Sequence, residues 1–171
     1  IDYRFAPNPD VEKAIAESTV DIGFMTAKST LAEVSCTPIA QESLLLVTPA
    51  TVEEPDWETL MTLGFIDHPD GSHHAGLLLG ANYTEFQHSS LFPRKGFSNQ
   101  IGLILEPVSL GLGFAVLPAH AVEAFEKSEG IKAHRLSHPV SETLYLSVPR
   151  NRSLQARMNT VIAEAKRWLN G

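Results

Sequence analysis

Five side chains have the chemistry to hold a small polar molecule: the hydroxyls of Thr26 and Ser72, the imidazole of His73 and the amides of Asn99 and Gln100. Ser72 follows the apolar run LGFID and stands where a helix N-cap would. It can cap that helix, meet an anion at the helix's positive end, or do both. Thr26 ends the run VDIGFM, where ordinary turn chemistry is its plainer role. His73 could donate to a carboxylate, and its charge changes near neutral pH, unless it is simply a solvated first-turn histidine. Asn99 and Gln100 open the segment QIGLILEPVSLG, where capping by Asn99 competes with presenting amides to a ligand.

Bond-breaking chemistry finds less support. His68, His73 and His74 with Asp67 and Asp70 could suggest a metal, but adjacent histidines on a helix point to different sides and the i, i+4 pair of a zinc helix is missing. No metal and no cofactor are expected. Cys36, the single cysteine, lies on an apolar segment with no base near it in sequence, and reads as a small core residue. There is no nucleophile elbow, Walker loop, dinucleotide fingerprint or zinc-protease helix. The glycines of GLGFAVLP precede a strand, where a Rossmann loop would follow one. The chain is not expected to be an enzyme.

The elements that must position these groups alternate. The opening IDYRFAPNP alternates like a strand, and Asn8 as N-cap with Pro9 behind it starts a helix to about Ser18. VDIGFMT reads as a strand buried on both sides. Strands are expected at Thr37 to Ala40 and Ser43 to Thr48, then a short helix with Glu53, Glu54 and Asp56 before Trp57, Leu60 and Met61. LGFID is a strand, HHAGLLLGANYTEF a helix and Gly96 to Asn99 a brief strand. Pro107 should kink or break QIGLILEPVSLG. GLGFAVLP is the most strand-like stretch of the second half, with Gly111 and Gly113 where the backbone must turn or pack closely. A helix ending at Gly130, the edge-type strand IKAHRL, the strand ETLYLSVP and a helix from Ser153 to Leu169 complete the chain. Trp57 and Trp168 read as core or interface.

Such alternation implies an α/β fold with mostly parallel sheets. SLLLVTP and ETLYLSVP bracket a central region of domain size, and are expected to cross between two lobes. Lobe I would comprise 1–45 and 146–171, and lobe II 46–145.

The 171 residues carry 13 basic and 20 acidic side chains, a net charge of -7, which lacks the basic footprint of a phosphate-backbone reader. With 43% hydrophobic residues a packed core is available. No apolar run approaches the roughly 18 residues of a membrane span. One cysteine fits a reducing compartment. The chain begins at Ile1 without methionine, as a fragment of a longer protein would.

The ordered set VDIGF, QESLLLVTP, FIDHPDGSHH, PVSLGLGFAVLP and LYLSVPRNRSLQARMNTVIAEAKRWL resembles the effector-binding domain of LysR-type transcriptional regulators. That family shares its fold with type 2 periplasmic binding proteins, and the resemblance covers nearly the whole chain. It implies two Rossmann-like lobes joined by two crossover strands, with a small-molecule effector in the cleft between them. It also implies a cytoplasmic homodimer or homotetramer that meets DNA only through a winged helix-turn-helix absent here, and a lobe I lacking its first strand and helix. Thr26, Ser72, Asn99 and Gln100 match positions that line the family's cleft. A helix N-terminus, hydroxyls and amides favour a small organic acid or similar anion. The main rival is a solute-binding receptor of a transporter, which uses the same architecture.

Overall fold

The computed structural model describes residues 1–4 and 6–169. Along the chain come α1 (Asn8–Ala16), β1 (Gly23–Met25), β2 (Val34–Pro49), α2 (Trp57–Leu63), β3 (Phe65–Asp67) and α3 (Gly71–Asn82). After a 3-10 turn at Ser89–Leu91 follow β4 (Arg94–Phe97), a second turn at Ile101–Leu103, α4 (Leu105–Ser109), β5 (Ala115–Pro118) and α5 (Ala119–Glu123). A third turn, Ser128–Gly130, precedes β6 (Ile131–His134), β7 (Ser141–Pro149) and α6 (Ala156–Leu169).

The chain divides into two compact units, Ile1–Gln41 with Glu142–Gly171, and Glu42–Ser141. The divisions fall four residues before the 45/46 and 145/146 expected from sequence. β2 and the start of β7 carry the chain across them.

The second unit shows how alternation builds a core. β2 pairs antiparallel with β5, from Leu44 opposite Pro118 to Val47 opposite Ala115, and with β6 along Leu46 to Pro49. Successive side chains of a strand point to opposite faces. Leu44 and Leu46 of β2 and Val116 of β5 therefore join one cluster, with Phe65, Phe114 and the buried face of α3. Val47, Ala115 and Leu117 join the other, with Ile104, Leu105 and Val108 from around α4. Trp57 packs against the first cluster, its ring centroid 4.9 Å from that of Phe92.

In the first unit, β1 pairs antiparallel with β7, Gly23 opposite Ser147. Arg150, just past β7, donates its backbone N–H to Glu33 O at 2.7 Å and its side chain to Ala32 O and Val34 O, at 2.7 and 3.0 Å. These bonds tie the end of β7 to the start of β2. Ile15, Met25, Val34, Leu146, Pro149 and Met158 are the unit's buried apolar side chains among those described.

Several expectations are corrected. The sheets are not mostly parallel: β1–β7, β2–β5 and β2–β6 are antiparallel, and β3–β4 is the parallel pair, extended by a bridge between Phe65 and Phe114. β5 runs with β3 and against β2, because β2 carries the chain in the opposite sense. Ile1 to Arg4 form no strand, and Phe5 lies outside the described residues. Alternation alone cannot hold a strand that has no neighbour for its backbone groups. β1 lies at the end of its sheet with Phe24 38% exposed, so it is not buried on both sides. The two strands expected around Ala40 are one, β2. Asn8 does not cap α1, since Pro7 holds the N-cap position. The break expected at Pro107 is present: its segment is a 3-10 turn and the short α4, with Pro107 the third residue of α4, where a missing N–H costs no intrahelical bond. Trp168 is 79% exposed, which removes the core half of its core-or-interface reading. Cys36 is half-buried among polar groups, accepting the Ser29 N–H at 3.3 Å and lying 3.2 Å from Ser147 Oγ.

Candidate functional site

In the first unit, Thr26 directly follows β1. Asn8, released from capping, holds it from both sides: its amide donates to Thr26 Oγ1 at 2.9 Å and its Oδ1 accepts the Thr26 N–H at 3.2 Å. The hydroxyl hydrogen of Thr26 is left for another acceptor. The following loop is anchored by Glu12, whose Oε1 accepts from Ser29 Oγ, Thr30 N and Leu31 N. The hydrogen bond from Ser29 does most to hold the Glu12 carboxyl below its usual range; desolvation opposes it, and the two backbone N–H groups add to the lowering.

In the second unit, β3 and β4 run parallel with Asp67 opposite Phe97, so the segments after both strands leave from the same end. Ser72 and His73 come from one segment and Asn99 and Gln100 from the other. The carboxyl ends of parallel strands are where α/β folds place their ligands, because loops and helix starts gather there. The Ser98 N–H donates to Asp67 O at 3.1 Å, which keeps the two segments together at their roots.

The finer placement differs from the expected one. Asp70, not Ser72, precedes α3, and Ser72 is the helix's second residue. Its Oγ lies 2.8 Å from Ser89 Oγ in the turn before β4. His73 is exposed beside the buried His74, ring centroids 5.9 Å apart, and His74 lies 5.1 Å from the ring of His68. His68 is itself buried, and its Nε2–H donates to Val116 O at 3.0 Å. Burial pushes its pKa below the ordinary histidine value, and the hydrogen bond opposes that only in part. Asn99 and Gln100 are exposed and precede a 3-10 turn rather than an α-helix. Ser98 takes the local role expected of Asn99: its Oγ accepts the Gln100 N–H and donates to Gln100 O, both at 3.1 Å.

Ser72 also borders a cavity of about 280 Å³, whose wall includes Asp67, Arg94 and the stretch from His88 to Ser90. The sequence offers Asp67 only as a metal ligand and does not single out Arg94. The one sequence signal for Arg94 is its place at the first residue of a strand, which many arginines share. Among the described residues no group of three or more histidine, cysteine or carboxylate side chains could hold a metal.

A model of the LysR substrate binding domain matches residues 1–170. The chain belongs to this family. This LysR substrate-binding domain has the type 2 periplasmic-binding-protein-like α/β fold seen in solved LysR-family structures. Full-length OxyR C199D from Pseudomonas aeruginosa has a TM-score of 0.74 at 19% identity, over 95% of this chain and 55% of that one. HinK, a LysR family transcriptional regulator from the same organism, has a TM-score of 0.69 at 14% identity, over 97% and 58%. The effector binding domain of QuiR in complex with shikimate has a TM-score of 0.67 at 13% identity, over 96% and 78%. The LysR domain described here thus spans less than three-fifths of the length of the OxyR and HinK chains. A search of curated proteins gives no match.

Proposed function

We propose that this LysR substrate-binding domain is the effector-binding, regulatory part of a DNA-binding transcription factor, sensing a small organic molecule and so controlling transcription. The family match over residues 1–170 carries the reading, and favours it over a transporter's solute receptor. The two units are its two lobes. The groups proposed to bind the effector are Thr26, Ser72, His73, Asn99 and Gln100. These are donors and acceptors suited to binding, and on this reading the domain acts by recognition rather than catalysis. A small organic acid or similar anion is the favoured class; the QuiR domain is in complex with shikimate. Binding shifts the domain between states only as far as the effector prefers one of them. The regulator would work in the cytoplasm, self-associate as a dimer or tetramer and reach DNA through a winged helix-turn-helix outside this chain. Among the described residues no helix is long and apolar enough to cross a membrane.

The test is thermal unfolding against a panel of organic acids. At least one should raise the Tm by several degrees, since a ligand at a hundred times its Kd stabilises by about 2.7 kcal/mol. Ser72→Ala should remove most of that rise and leave the ligand-free Tm within a few degrees. A variant that responds as fully as the parent would exclude Ser72 from the site.

A further inference from the structure

We infer that the cavity in the second unit is a binding site for a zwitterionic α-amino acid, a proposal that does not depend on the regulatory reading. About 280 Å³ is near the lower end of small-molecule sites, which suits a ligand of amino-acid size. The formally charged groups on its wall are Arg94 and Asp67, and the closest approach recorded between them is 3.8 Å, from Nη2 to Oδ2. That is beyond hydrogen-bonding length, so each keeps capacity for a third partner. Asp67 Oδ1 accepts the His68 N–H at 2.9 Å, leaving Oδ2 to receive a ligand's donor. Arg94 lies over the Phe97 ring at 5.2 Å, a contact that steadies the guanidinium through its face and leaves its in-plane N–H donors available.

The local sequence keeps this pair in place. A Cβ on Gly71 would stand 2.4 Å from Asp67 Oδ1, so only glycine lets the carboxylate lie against the start of α3. His88 Nδ1 accepts the Ser90 N–H at 3.1 Å. The hydroxyls of Ser72 and Ser89 and the apolar Phe65 and Phe92 complete the wall.

The balance of charge selects the ligand. A plain carboxylate drawn to Arg94 would also meet Asp67, and a plain amine drawn to Asp67 would meet Arg94, so attraction and repulsion largely offset. A molecule with a carboxylate and an ammonium a few ångströms apart satisfies both: the guanidinium takes the carboxylate through paired N–H donors, and Asp67 takes the ammonium.

Titration calorimetry of the chain with each of the twenty standard L-amino acids tests this. At least one should bind with a Kd below about 1 mM. Its des-amino acid and its methyl ester should each bind at least about tenfold more weakly, or about 1.4 kcal/mol. Arg94→Gln and Asp67→Asn should each weaken binding by a similar factor, while Thr26→Ala leaves it unchanged. Arg94 is largely exposed, so its variant should fold normally and carries the test if the Asp67 variant does not. The absence of amino-acid binding overturns the proposal, as does a des-amino acid that binds as tightly as its parent, or undiminished affinity in Arg94→Gln. Loss of amino-acid binding in Thr26→Ala with Arg94→Gln unaffected would place the ligand on the effector groups, overturning this site and leaving the regulatory reading intact.

Discussion

His68 shows how one side chain couples the site's foundation to pH. It is buried at the end of β3, bonded to Val116 O and packed on the ring of His74. Burial first, with the like charge of His74 adding to it, holds its pKa below the ordinary value. His134, 2.7 Å from Thr48 Oγ1, is lowered too, by burial and then by Lys132. With the folded pKa below the unfolded one, the unfolded chain takes up the proton first. The neutral histidines favour folding fully above about pH 6.5, and that advantage is lost as pH falls below it. Glu12, Glu53 and Asp56 are shifted down by their hydrogen bonds, so what they contribute is lost only in stronger acid. The urea midpoint should therefore fall between about pH 7.5 and pH 5.5, and fall less in His68→Gln. Equal pH dependence in parent and variant would show that His68 is not the group responsible. At this scale the sequence placed Thr26 at the end of a strand and Ser72 at the start of the helix after one, because a strand's end can be read from a local apolar run. It could not show Asn8 bonded to Thr26, or Ser89 beside Ser72, because each pair is separated by more than fifteen residues of chain.

At the scale of elements, local pattern and tertiary pairing decided different things. GLGFAVLP was legible: β5 forms at Ala115–Pro118, Gly111 turns with φ +80°, and Gly113 packs where a Cβ would stand 2.9 Å from Gly64 O. The same close approach makes Gly64 a sensitive position. Its φ is +76° and a Cβ there would lie 2.6 Å from Pro93 O, the acceptor of the Phe65 N–H. Gly64→Ala combines left-handed strain with a backbone clash where β3 meets β4, and should cost about 2–3 kcal/mol in chemical denaturation. A cost below about 1 kcal/mol would show that β3 shifts to make room. The last helix was legible in its apolar face, where Met158 is buried and Val161, Ile162 and Ala165 are half-buried. For Trp168 the same spacing could not separate core from surface, because it says which residues share a side and not whether anything covers them.

At the scale of the whole molecule, the two units differ in how they are made. Residues 42–141 are continuous in sequence, and both large apolar clusters lie entirely within them. The other unit joins the two ends of the chain. A fragment of residues 42–141 should therefore unfold cooperatively on its own, with Trp57 fluorescence and far-ultraviolet circular dichroism changing together. Transitions that fail to coincide would show that this unit needs the rest of the chain.

Read alone, the sequence established an α/β chain, the order of most of its elements, a resemblance to one family, and hydroxyl and amide groups at the ends of its strands. These follow from patterns a few residues long, set by the period of a helix or strand and by the backbone limits of proline and glycine. Tertiary structure alone decided that the sheets are mainly antiparallel, that β2 is one strand, and that Arg94 and Asp67 share the wall of a cavity. Such features join residues far apart in the chain, and they form only when burial of the two clusters brings those distant segments together.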